Sequence, residues 1–292
     1  GSMAAWIAAA TSYSTNNFPL IPFYCFYSMF GFQRIGDLAW AAGDIQARGF
    51  LIAGTAGRTT INGEGLQHQD GHSFILSQTI PSCVSYDPAY VYEMAVVIHE
   101  GMKRMYERNE NVFYYLTMMN ENYEQPAMPK GVEDGIIRGM YLLESVETKG
   151  RKKTPRVQLL GSGAILNEVR AAALLLKDDH GIASDVWSVT SFNELARDGQ
   201  HVDRWNRLHP DDKPKQPYIT QCLEKQKGPV VASTDYMKLY SDQVRAWVPA
   251  RYEVLGTDGY GRSDTRERLR SFFEVDRYQR TGNQGSRSRR RG

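Results

Sequence analysis

Cysteine is scarce: Cys25, Cys83 and Cys222 lie far apart in 292 residues, with no CxxC pair and an odd total. That set excludes a disulfide framework or a Cys-built zinc site and makes a reducing compartment the expectation. No run of about 18 uninterrupted apolar residues occurs, which excludes a membrane-spanning helix. No fixed-period repeat is visible, which excludes a solenoid. What is there, 41% hydrophobic and 23% charged residues, fits a globular chain long enough for two domains.

The net charge of +2 conceals an asymmetry. Residues 1–150 hold nine Lys and Arg against fifteen Asp and Glu, a net of −6. Residues 151–292 hold twenty-six against eighteen, a net of +8. Six arginines and no acid fall in 277–292, so residues 1–276 carry −4. The basic character therefore belongs to the end of the chain. That stretch has one Tyr and no interleaved aromatic platform, so nucleic acid is not the expected partner.

Short apolar runs alternate with amphipathic segments. Gly1-Ser2-Met3 reads as native sequence or a vector scar, and Ala4–Ala10 as a tightly packed helix without a capped run-in, so the chain is expected to begin inside a domain. Leu20–Ser28 predicts a strand, Phe32–Ala47 a helix, Phe50–Gly54 a strand and Thr55–Ser73 a glycine-rich polar loop. Cys83–Tyr86 is a further strand, followed by a helix through Tyr106, a strand at Asn111–Met119 and a loop at Asn120–Gly131. A charged segment, Glu147–Pro155, predicts a domain boundary. Beyond it come a strand at Val157–Leu160, a turn at Gly161–Gly163, a helix at Ile165–Lys177 and a strand at Asp185–Thr190. A helix at Phe192–Leu208 and a loop at Pro210–Pro217 follow. The pattern closes with strand Pro229–Ser233, helix Met237–Val248, strand Tyr252–Leu255 and helix Thr265–Phe273. From Arg277 it stops, and disorder is expected. The fold class is therefore α/β with mostly parallel sheets, in two domains at 1–146 and 156–276, a 147–155 linker and a 277–292 tail.

Four features could carry chemistry. Gly161-Ser162-Gly163-Ala164 resembles a dinucleotide turn but lacks the third glycine and the following acid, so a plain strand-to-helix turn is the better reading. His68 and His72 flank Asp70, inviting a metal site, but the glycines around them oppose a helix and no third ligand is evident. A glycine-rich loop carrying polar groups into an active site fits better. Tyr24–Phe30 reads as core packing or as an apolar wall for a flat heterocycle. Cys83, without an adjacent base or basic cluster, reads as a buried structural thiol.

The segment AAATSYSTNNFPLIPFYCFYSMFGFQRIGDLAWAAGDIQARGFLIAGTAGRTTINGEGLQHQDGHS resembles the homodimeric, thiamine diphosphate-dependent decarboxylating component of bacterial pyruvate dehydrogenase complexes. The likeness continues through SYDPAYVYEMAVVIHEGM, NENYEQPAMPKG, VQLLGSGAIL, SVTSFNELARDGQ, VASTDYMKLYSDQVR and GTDGYGRSDTRERLRSFFEVD, covering about residues 4–276. It implies transketolase-type domains: the later part of a pyrimidine-binding domain, then a whole C-terminal domain. It also implies oxidative decarboxylation of pyruvate in the bacterial cytoplasm, with the two-carbon unit passed to a lipoyl-bearing dihydrolipoamide acetyltransferase. By motif, Tyr27 and His68 match residues at the substrate end of the site, and Phe30 matches the aromatic residue packed on the cofactor's aminopyrimidine ring. Gln67 and His72 are neighbouring candidates.

The departures bear on activity. The family's catalytic glutamate matches a position just before Gly1. The Gly-Asp-Gly motif that begins the family's Mg²⁺ and diphosphate site occurs nowhere in this sequence. Most cofactor ligands are thus expected outside this chain, which alone is expected to be inactive. The alternatives are a non-catalytic interaction module of the same origin, or the same chemistry on another 2-oxo acid.

Overall fold

Short runs rich in β-branched and aromatic residues form the strands, and those inside the sheets, such as Phe50–Gly54, Phe113–Thr117 and Ala183–Val189, are buried on both faces. The computed structural model describes residues 1–148 and 154–279. In the first unit β1 (Phe23–Tyr27), β2 (Phe50–Gly54), β3 (Cys83–Tyr86) and β4 (Phe113–Thr117) form a parallel sheet of order β1-β2-β4-β3. In the second, β5 (Met140–Val146), β6 (Arg156–Gly161), β7 (Ala183–Val189), β8 (Val230–Ser233) and β9 (Tyr252–Leu255) form a sheet of order β5-β7-β6-β8-β9. It is parallel except where β5 runs antiparallel to β7. The chain is thus α/β with mostly parallel sheets, as its patterning predicts.

Local signals explain most boundaries. Ser191 caps the helix Phe192–Leu208, its hydroxyl accepting the Glu194 N–H at 3.0 Å. The helix Ile165–His180 buries Ile165, Leu166, Val169, Ala172, Ala173 and Leu176 as one stripe. It runs a turn beyond Lys177 and stops at Gly181, whose φ of 63° lies in the left-handed region that ends helices. The strand expected from Leu20 starts only at Phe23, because Pro19 and Pro22 offer no N–H to a ladder.

Other boundaries differ. Met140–Val146, which the expected 147–155 boundary places in the first domain, is hydrogen-bonded into the second sheet. The charged stretch after it connects β5 to β6 within that sheet; its residues 149–153 lie outside the described residues. Three six-residue helices, Ser73–Gln78, Glu133–Arg138 and Tyr218–Leu223, are too short to show a helical period. The expected helix Met237–Val248 is instead Lys238–Asp242 followed by a 3₁₀ turn, Arg245–Trp247. Disorder from Arg277 does not hold for the first three residues. The Arg277 side chain donates to both Glu168 oxygens at 2.9 and 2.8 Å, and Gln279 N–H donates to Asp276 at 3.0 Å. Residues 280–292 of that expectation lie outside the described residues.

The two units share one core. Phe74 of the first stacks on Tyr240 of the second at 4.4 Å and meets Tyr236 edge-on at 4.8 Å. Elsewhere on the seam Glu93, fully buried, accepts the backbone N–H groups of Ala89 (2.6 Å) and Tyr90 (3.1 Å). It also accepts the hydroxyls of Tyr141 and Ser188 across the seam, each at 2.6 Å. Burial raises its pKa above the usual carboxylate value. A large apolar seam, crossed by the hydrogen bonds of Glu93, holds the units in one arrangement.

Candidate functional site

In the parallel pair β1–β2, Tyr27 stands opposite Gly54, so both strands end side by side. The segments that follow them must emerge together, which is where parallel sheets gather ligand-facing groups. After β1 comes the turn Ser28–Phe30, and after β2 the loop 55–72. Tyr27, Phe30 and His68 meet there edge to face. Their ring centroids lie 5.6 Å (Tyr27–His68), 5.1 Å (Phe30–His68) and 6.4 Å (Tyr27–Phe30) apart. The Arg34 guanidinium lies 4.1 Å over the Phe30 ring. Tyr27 is 56% exposed, so its phenol is open to a ligand. His68 Nδ1 is buried, and although Glu64 Oε2 lies 3.0 Å away, no hydrogen bond forms in that geometry. The Tyr24–Phe30 run divides between its two readings: Tyr24 and Phe26 pack against the core, whereas Cys25 and Tyr27 are exposed.

Beneath the rings Asp70, fully buried, joins both segments. It takes a hydrogen bond from the Ser28 hydroxyl and the N–H groups of His72 and Ser73, both at 3.0 Å. Beside it the buried Arg58 guanidinium donates to the carbonyls of Thr257 and Gly259 in the second unit. Burial lowers the Arg58 pKa, and Asp70, Asp235 and Asp258 oppose that shift. A cleft of about 300 Å³ opens next to these groups, with Arg58, Gln69, His72 and Tyr260 among its lining residues. His72 is thus on the cleft wall rather than in the ring cluster, and its Nδ1 stands 3.8 Å from Asp70. Gln67 is exposed on the loop.

Among the described residues no group of three or more His, Cys, Asp or Glu side chains is placed to hold a metal ion. The Gly161–Gly163 turn is filled by Asp87: Gly163 N–H donates to its carbonyl at 3.1 Å, and a Cβ on Gly163 would lie 2.7 Å from Asp87 Oδ2. It is a closely packed strand-to-helix turn. Cys83 is fully buried, and burial pushes its thiol up to about 12. Sequence reasoning did not identify Arg58, Gln69 or Asp235 as supports of the loop. Their partners lie far away in sequence, so no local spacing marks them.

Comparison with known proteins places these features in context. Residues 1–126 match the family model described as the pyruvate dehydrogenase E1 component middle domain. Residues 139–276 match the transketolase-like TK C-terminal domain. The pyruvate dehydrogenase E1 component of Pseudomonas aeruginosa is 67% identical over 279 residues, covering 95% of this chain and 31% of the relative. That of Escherichia coli K12 is 65% identical over 279 residues, covering 94% and 31%. The chain spans about a third of the length of these curated relatives. Among solved structures, transketolase from Campylobacter jejuni superposes with a TM-score of 0.65 at 15% identity, covering 90% of this chain and 35% of that one. A structure described as split gene transketolase, inactive beta4 tetramer, gives a TM-score of 0.65 at 14% identity, covering 95% and 79%. These two likenesses bear on the fold, which is transketolase-like.

Proposed function

The chain belongs to the pyruvate dehydrogenase E1 component family, and from that premise we propose that it supplies one side of a thiamine diphosphate site for the oxidative decarboxylation of pyruvate. The observation that carries this is the Tyr27–Phe30–His68 ring cluster at the adjoining ends of β1 and β2. An exposed phenol and a buried imidazole nitrogen without a hydrogen-bond partner fit the ring end of the cofactor and the substrate. When bound, thiamine diphosphate supplies the nucleophilic carbon and the electron sink. Phe30 gives its aminopyrimidine an apolar surface. Tyr27 and His68 donate hydrogen bonds to the pyruvate carboxylate or to the alkoxide that develops at the keto carbon, stabilising charge where it appears. With the cofactor bound, that chemistry would break the C1–C2 bond of pyruvate, release carbon dioxide and pass the acetyl group to the lipoyl disulfide of a dihydrolipoamide acetyltransferase, which would be reduced. The working form is a homodimer in the bacterial cytoplasm.

The Gly-Asp-Gly motif that begins the family's diphosphate and Mg²⁺ end does not occur in this sequence. We therefore expect the isolated chain to release no carbon dioxide from pyruvate. Turnover by the isolated polypeptide would overturn that expectation. Titration calorimetry with Mg²⁺ and thiamine diphosphate, alone and with a chain carrying the rest of the family sequence, tests the division of the site. Binding restored by the second chain supports it. A second reading, a non-catalytic interaction module, draws on the exposed apolar side chains Phe18 (65%), Leu20, Ile21 and Phe23 before and on the edge strand β1. It predicts association without any cofactor response.

A further inference from the structure

The loop 55–72, which brings His68 to Tyr27, is glycine-rich and has no regular structure of its own until the helix at Ser73. Such a segment holds one conformation only if something else satisfies its backbone. The first unit holds it near its ends, through Ala56 N–H to the Met118 carbonyl at 2.9 Å and the Ser28 hydroxyl to Asp70. Its length in between is bonded to the second unit. Asp235, two residues past β8 and almost fully buried, accepts Thr59 N–H at 3.0–3.1 Å and the Thr59 hydroxyl at 2.7 Å. The Asp235 carbonyl accepts Arg58 N–H at 3.2 Å. Gly57 passes so close, at a φ of 86°, that a Cβ there would lie 2.3 Å from Asp235 Oδ2.

Further along, Gly63 N–H donates to the Asp264 carbonyl (3.1 Å) and Arg266 N–H to the Asn62 side chain (2.9 Å). Met237 N–H donates to the Gly71 carbonyl at 2.8 Å. Next to His68, the buried Gln69 side chain accepts Arg262 N–H at 2.7 Å and reaches back to the Ile61 carbonyl at 3.4 Å. These bonds span up to about 200 residues of sequence, so the loop cannot acquire this shape from the first unit alone.

We propose that Asp235 and Gln69 are positioning residues: through them the second unit sets the place of His68 in the active site and does more than pack. The inference rests on the reading of His68 given above, but its test needs neither cofactor nor pyruvate. Hydrogen exchange is followed on the full chain for peptides of loop 55–72, with β2 and β8 as internal references. The His68 ring signal is followed by NMR, assigned with His68→Gln. In Asp235→Ala the loop amides are expected to exchange at least about 10-fold faster while β2 and β8 keep their protection. The His68 signal moves or broadens, and Asp235→Asn, which keeps one acceptor oxygen, restores part of both. Should Asp235→Ala fail to fold, Gln69→Leu removes the Arg262 partner at similar volume and gives the same readouts on a smaller scale. Unchanged loop exchange and an unchanged His68 signal in the folded variants would overturn the proposal. If both respond but His68→Gln leaves turnover intact in the enzyme reconstituted with a chain carrying the rest of the family sequence, the functional reading fails and the coupling stands.

Discussion

Asp87 offers the sharpest test of how the two units are joined. It follows β3 and is completely buried at the seam. Its N–H donates to the Thr190 carbonyl at 2.7 Å and its carbonyl accepts Gly163 N–H at 3.1 Å, so its backbone is tied to the second unit. Its carboxyl accepts the Thr117 hydroxyl at 2.7 Å and, more weakly, the Tyr236 hydroxyl at 3.4 Å, and Oδ2 has no hydrogen-bond partner. Burial raises its pKa from 3.8 to about 7, against the lowering effect of Thr117, and the nearby Asp235 adds like charge. The fold thus favours the protonated form. Stability from this group is complete below the ordinary pKa, falls as pH rises from about 4 to about 7, and is level above that. Roughly three pH units at about 1.4 kcal/mol each give a loss of about 4 kcal/mol. Asp87→Asn keeps the shape but cannot ionise. The assay is urea unfolding of both proteins between about pH 4 and pH 8. The difference from wild type separates Asp87 and its coupling to Asp235 from Glu93, whose pKa is also raised. In favour of the variant, that difference should grow by about 4 kcal/mol across the window. A difference constant to within about 1 kcal/mol would refute the reasoning.

Three further outcomes follow from the geometry. Ser191→Ala removes both the cap on Glu194 N–H and the 2.6 Å bond to the Ser85 carbonyl, and should cost about 1–3 kcal/mol in urea unfolding. A thiol reagent should label the exposed Cys25 in the folded chain, whereas Cys83 should react only after unfolding; mass spectrometry of labelled peptides decides it. In enzyme reconstituted with a chain carrying the rest of the family sequence, Tyr27→Phe and His68→Gln should each lower kcat about 10²-fold. Steady-state decarboxylation should show a smaller change in KM, as expected when an interaction forms mainly in the transition state.

Much of the fold was legible because its signals are local. Apolar runs such as Phe50–Gly54 and Cys83–Tyr86 became buried strands at the same bounds. Ser191 and Gly181 mark helix ends by chemistry that acts within a few residues. Met140–Val146 was missed because a charged connection between two strands of one sheet resembles a linker between domains. Only strand pairing distinguishes the two. The short helices carry too few residues for a period. Of the site residues, Tyr27, Phe30 and His68 were reached through motif likeness, and the structure brings these three rings together while leaving Gln67 exposed and His72 on the cleft wall.

By itself the sequence determined an α/β chain with mostly parallel sheets, a family and three candidate rings, because composition, alternation and motif all act at short range. Only the tertiary structure decided what holds those rings in place. The Ser28–Asp70 bond closes a gap of 42 residues and the Thr59–Asp235 bonds a gap of 176. No pattern in the chain announces such pairs: the first forms only once β1 and β2 lie side by side, and the second only where the two units share one buried seam.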